Sequence, residues 1–253
     1  MRTFTSTGTQ AVTIELGSGS VEIGPTEDQS VTGEIHAANP DEERRITVDT
    51  FGSELRISVP KRDKRMFSSD ITVKILVPAG TDLTLATGSG DLTTDVRLGR
   101  VSAKSGSGDL RLAGTGTARI STGSGDVTVL SVDGEADLSS GSGDIRVDRC
   151  GSDLSVRTAS GDVIIGRLDG SAEAKLASGD FRLAETTGSV NARTASGDIV
   201  VGVADQLPAW LDLKSGSGDV DISIPPAGEP ETGAPYVSIY ARSGSGDIRI
   251  TRA

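Results

Sequence analysis

The sequence predicts an all-β protein: a right-handed parallel β-helix or β-solenoid with about 18 residues per coil and a Ser-Gly-Asp turn in each coil. Three observations predict it. The tripeptide Ser-Gly-Asp occurs nine times, ending at Asp91, Asp109, Asp126, Asp144, Asp162, Asp180, Asp198, Asp219 and Asp247, with spacings of 18, 17, 18, 18, 18, 18, 21 and 28. That period is too short for a stacked helical hairpin and fits one turn of a solenoid. The residues one and three places after the Asp are nearly all apolar, as in Ile145 with Val147 and Val163 with Ile165. Apolar residues two apart mark a half-buried strand, with the Asp and the intervening residue facing water. Finally, no apolar stripe of period 3.6 runs for three turns, and the recurrent Gly and Ser disfavour helix.

The elements follow in chain order. Residues 1–80 lack the regular repeat, but "AVTIEL", "VTGEIH", "RITVDT", "ELRISV" and "DITVKILV" alternate or run apolar like strands. "GSGSVEI" at 17–23 reads as a degenerate coil without its Asp. This part is expected to be a β-rich cap continuous with the solenoid of residues 81–253, because an open parallel edge invites association. Within the solenoid a second apolar pair lies eight and six residues before the Asp, as in Leu83 with Leu85 and Leu154 with Val156. Each coil therefore reads as strand, Gly-rich turn, strand and second turn, the last near Gly99, Gly134, Gly170 or Gly188. A right-handed path is expected because parallel crossovers strongly prefer that hand. The closing "ARSGSGDIRITRA" is expected to leave a bare coil end, and "PPAGEPETGAP" (225–235) to form an exposed loop near it.

Composition narrows the function. A net charge of −11 and 36 acidic residues against 25 Lys and Arg argue against nucleic acid and against unaided attachment to an anionic membrane. No apolar run is long enough to span a bilayer and no apolar leader is visible, so a cytoplasmic location is expected. One cysteine, Cys150, excludes an internal disulfide, and one histidine, His36, gives nucleophile–base chemistry almost nothing to use. No cofactor and no enzymatic activity are expected.

Two readings of the Ser-Gly-Asp turn compete. In the structural one, Gly tightens the turn while Ser and Asp bond turn amides. Arg111, Arg146, Arg182 and Arg249, two residues after the Asp, and Lys104, Arg157, Lys175, Arg193, Lys214 and Arg242, five before it, would offset the acidic column. In the other, Asp109, Asp126, Asp144, Asp162, Asp180 and Asp198 bind calcium. That ion needs six to eight oxygens, so stacked turns would have to share their carboxylates, and the structural reading is the stronger. The breaks in the repeat are candidates for partner binding. "KRDKRMF" offers Lys61, Arg62, Lys64 and Arg65 with Met66 and Phe67 as anchors, unless it is only a solvated loop. Trp210, the only tryptophan, either packs on neighbouring coils or, if partly exposed, marks an interface.

The segments "ITVKILVPAGTDLTLATGSGDL" (71–92), "PAWLDLKSGSGDVDISI" (208–224) and "RSGSGDIRITRA" (242–253), with the Ser-Gly-Asp units between them, resemble a bacterial β-strand-repeat family, the toastrack domain. The family carries an adhesin label and no known function. The resemblance is strongest to actinobacterial members, implies a solenoid of stacked β-coils and supplies no catalytic residues. The expected function is a non-enzymatic scaffold or protein-interaction module, its partner an unknown protein or a second copy meeting it through the coil ends. The alternatives are an end-to-end assembling structural protein and a calcium- or polymer-binding module.

Overall fold

The computed structural model describes residues 1–59, 71–205, 207–225 and 236–253, with the side chains of 40–42 excepted. They form two compact units, Met1–Thr128 and Val129–Ala253. Both are β-solenoid stacks: each coil contributes two strands, and strands of successive coils pair in parallel and in register.

In the first unit the coil Ala11–Leu16 with Ser20–Pro25 lies on the coil that carries Asp91, pairing Val12 with Leu83, Ile14 with Leu85 and Val21 with Leu92. The degenerate coil is therefore a true one, with Ser20 in register with Asp91. The next layers continue both columns, Leu83 pairing with Val101, Val101 with Ala118, and Leu92 with Leu110. Outside the Ala11 coil the pattern changes. Glu54–Ser58 and Ile71–Val77 each add one more parallel strand. Antiparallel strands follow: Thr47–Phe51 on the first column, then Ser30–Ala37 and Arg2–Thr7 on the second. A hairpin with only Gly52 and Ser53 between its strands makes the first reversal, Gly52 taking a φ of +60° that suits glycine in so tight a turn.

Two features of this unit depart from the sequence reading. Arg2–Thr7 is a strand whose Thr- and Ser-rich sequence gives no strong apolar alternation. A six-residue helix, Pro40–Arg45, interrupts a chain read as free of helix, with Pro at its first position and Arg44 and Arg45 in its last turn. Proline's missing N–H is harmless at a helix start, and cations suit a helix end.

In the second unit the inward positions are those the repeat predicts. Ile145, Val163, Phe181, Ile199 and Ile248 form one register column, and Leu154, Ala172, Val190 and Ile239 form another. Every member is buried, and Phe181 is the largest fully buried side chain among the described residues. Small residues on one column, Ala172, Ala174 and Ala192, share the layers of larger ones on the other, Phe181, Leu183 and Ile199, which keeps the thin core filled.

The order of the last coils is not the order of the sequence. Val190–Ser196 pairs with Val237–Ser245, and that strand pairs with Ala209–Ser215. Likewise Ile199–Val203 pairs with Ile248–Arg252, which pairs with Val220–Ile222. The coil of residues 237–252, expected to be a bare end, is interior, and the coil of 209–222 lies outside it. The two irregular Asp spacings, 21 and 28, are the trace of this exchange: the first connection steps over one layer and the second steps back.

Replacing Ile145 by Asp puts a carboxylate into the thin core and should cost more than about 4 kcal/mol. Replacing the outward Arg146 by Ala should cost less than about 1 kcal/mol. Urea unfolding midpoints of the two variants check the inward and outward assignment.

Candidate functional site

The Ser-Gly-Asp turns form a ladder. In the second unit the Oδ1 of Asp144 accepts the backbone N–H of Asp162 at 2.8 Å, Asp162 accepts that of Asp180 at 2.9 Å, and Asp180 that of Asp198 at 2.9 Å. The ladder runs on through the exchanged coils, Asp198 accepting from Asp247 at 2.8 Å and Asp247 from Asp219 at 2.9 Å. In the first unit Asp91 accepts from Asp109 and Asp109 from Asp126. Each such carboxylate satisfies an amide that the strand ladder leaves free at the turn. The glycine before the Asp admits this approach. Gly179 has a φ of +130°, and a Cβ there would collide with the carbonyl oxygen of Gly161 one layer away.

The hydroxyl four residues before the Asp also serves the turn. Ser105, Thr122 and Ser140 accept the N–H of Gly108, Gly125 and Gly143 at 2.8–3.0 Å. Asp109 and Asp180 use their second oxygen for an ion pair along the strand, with Arg111 at 3.2 Å and with Arg182 at 2.6 Å. The six aspartates read as calcium ligands thus each share a structural turn, and among the described residues no three His, Cys, Asp or Glu side chains converge as a metal site.

The outward face of the second unit carries the basic row the sequence shows. Arg157, Lys175, Arg193, Arg242 and Lys214 occupy successive layers. Arg157 pairs with Asp137, Lys175 with Glu173 and Arg242 with Asp212. The Tyr240 ring meets two of these cations, its centre 4.0 Å from the Arg242 guanidinium and 5.1 Å from that of Arg193. Lys214 has no ion pair among the described residues. At the far corner, Asp169 bonds Arg167 at 2.9 Å and Arg149 at 3.2 Å, and the Arg167 hydrogen bond holds its carboxyl below the ordinary range.

One part of the second unit breaks the burial rule. Val220 and Ile222 are 43% and 49% exposed, whereas their register partners Ile248 and Ile250 are wholly buried. Leu211 and Leu213 are half-buried over Ile239 and Ala241. Trp210, on the outward side of the same coil, is 51% exposed. Among the described residues the coil 209–222 pairs on one side only, and its outer strand edges have no ladder partner there. Trp210 is thus partly exposed, the condition under which the sequence marks it as a candidate interface residue. The remaining partner candidates, Lys61, Arg62, Lys64, Arg65, Met66 and Phe67, lie outside the described residues, as does most of the 225–235 loop.

His36 is exposed on Ser30–Ala37, beside a polar recess lined by Ser18, Ser20, Ser89 and Asp91. Among the described residues none of these is hydrogen-bonded to it, so no nucleophile–base pair is formed. Cys150 fills a corner in register with Leu168. Its thiol donates to the carbonyl of Ser152 at 3.3 Å, and burial pushes its pKa up.

Stacked coils, a turn ladder engaged in holding them together and one apolar end together define a β-solenoid. The chain belongs to the toastrack family: the family described as Toastrack DUF4097 matches residues 9–253. Solved structures share the fold. A "putative adhesin" from Bacteroides fragilis is 15% identical with a TM-score of 0.53, covering 98% of this chain and 95% of its own. A "putative adhesin" from Parabacteroides distasonis is 12% identical with a TM-score of 0.52, at the same coverage. A "putative lipid binding protein" from Parabacteroides distasonis is 17% identical with a TM-score of 0.50, covering 99% of this chain and 96% of its own. No curated protein matches the sequence.

Two outcomes are expected from the turn chemistry. Asp162→Ala leaves the Asp180 amide without its acceptor and should cost about 1.5 kcal/mol in urea unfolding, whereas Asp162→Asn, which keeps an acceptor oxygen, should cost less. Cys150 should resist alkylation by iodoacetamide at pH 8 in the native protein and react at the rate of a free thiol in urea.

Proposed function

We propose that this toastrack chain is a non-enzymatic interaction module that docks a protein through the open coil of residues 209–222. The observation that carries the reading is the exposure of Val220 and Ile222 at positions that are buried in every other coil of the second unit. An apolar layer left open at the end of a parallel stack, beside a half-exposed Trp and a free strand edge, combines the two means by which sheets take up partners: main-chain pairing and side-chain burial. The outward faces are less suited to docking, because most of their charges are already paired within the chain. Attachment by end-on contact is also in keeping with the adhesin names of the related structures.

The reading is tested by replacing Ile222 with the photo-crosslinking residue benzoylphenylalanine in the producing cell. Irradiation should link position 222 to another polypeptide, while the same residue in place of Leu130, an exposed apolar side chain elsewhere on the unit, should give no adduct. A folded protein that gives no adduct at position 222 overturns the reading.

A further inference from the structure

We infer that the partner of the open coil is a second copy of this chain, joined about a two-fold axis through Leu213. The inference rests on the docking reading above and deepens it by naming the occupant.

Two ways of adding a copy to a parallel strand edge exist. A copy in the same orientation must offer the opposite edge of a parallel column. In the first unit, taken by itself, the outer strands Arg2–Thr7 and Thr47–Phe51 run antiparallel to the strands they cover, so they offer no edge of a parallel column. A copy turned to face the first presents the same strand, Ala209–Ser215, running antiparallel. The contact is then isologous and closes as a dimer.

The register of that seam is fixed by two requirements. Inward side chains of both copies must stay on one side of the joined sheet, so the axis must pass through a residue and not between two. Charges opposite each other must differ in sign. An axis through Asp212 sets Asp212 against itself, and one through Lys214 sets Lys214 against itself. An axis through Leu211 places Asp212 opposite Trp210 and Lys214 opposite Pro208, which leaves both charges unmatched.

An axis through Leu213 satisfies both requirements. It sets Asp212 opposite Lys214 of the second copy, twice by symmetry. Lys214 has no ion pair among the described residues, and Asp212 gives only its Oδ1 to Arg242, at 2.7 Å. The same register brings Trp210 over Gly216 of the second copy, where the indole covers a backbone with no side chain of its own, a recognised means of supporting glycine at a sheet edge. Leu213 meets Leu213, and Leu211 meets Ser215. The half-buried Leu211 and Leu213 would then lie against the matching layer of the other copy.

Two measurements on the purified full-length chain test this. Sedimentation equilibrium should show a reversible dimer. Lys214→Glu should raise its dissociation constant about 10-fold or more, and the charge swap Asp212→Lys with Lys214→Glu should return it to within about threefold of the starting value. Separately, Leu213→Cys should yield a covalent dimer on mild oxidation, since directly opposed residues of an antiparallel pair lie at a separation a disulfide can bridge. Leu211→Cys should not, because Leu211 faces Ser215. A chain that stays monomeric up to about 1 mM, far above the dissociation constant of specific dimers, overturns the inference. So does a dimer indifferent to Lys214→Glu, or one cross-linked by Leu211→Cys in place of Leu213→Cys. A photo-adduct at position 222 with a polypeptide of another mass would leave the docking reading standing and remove the second copy as its occupant.

Discussion

The hydrogen bond from one aspartate's amide to the carboxylate of the aspartate in the neighbouring coil is the constraint on which the solenoid depends. A strand pairs its amides along its own length, but a turn cannot, and a coil that reverses every nine or so residues would leave unpaired amides at every corner. The Asp side chain is short enough to reach one layer and no further. Its use therefore ties each coil to the next in a fixed register. That register puts Ile145 over Val163 and Val163 over Phe181, so the thin apolar core follows from the polar turn as much as the reverse.

The same bond explains why the exchanged coils are tolerated. Asp247 takes the layer next to Asp198 although 49 residues separate them in sequence, and the geometry, 2.8 Å from amide to carboxylate, is that of neighbours 18 residues apart. The coils that carry Ser-Gly-Asp offer the same donor and acceptor at the same place. The turn therefore specifies that coils stack in register while saying little about which coil comes next. Outward side chains add a second layer of local pairing, as with Arg182 and Asp180 or Arg242 and Asp212, which neutralises most of the charge along the faces.

Much of this was legible in the sequence because period and alternation are local properties. The residues after each Asp could be assigned inward from spacing alone, and Ile145, Val163, Phe181 and Ile199 are all buried. The degenerate coil at residues 17–23 was also readable, since Val21 keeps the apolar place after a missing Asp. Coil order was not, because Leu211 and Leu213 carry the same pattern as Ile239 and Ala241, and only the uneven spacings distinguish them. The environment of Trp210 depended on that order and was hidden with it. Arg2–Thr7 escaped notice for a different reason: as an outer strand buried on few positions it needs little apolar alternation.

The exchange of the last two coils has a consequence for biosynthesis. On a ribosome, residues 209–222 emerge before residues 237–252, the layer on which they finally rest. For a time the coil of 190–203 presents its open layer to the wrong suitor, one with matching Leu positions and an Asp at the right place. The final arrangement asks for a closure across 49 residues in place of the usual 18, an entropic difference of only about 0.9 kcal/mol. So small a penalty lets the later coil displace the earlier one once it exists. It also makes the early, sequential stack a natural transient, in which the nascent chain holds a near-native but misordered end until its last coil arrives.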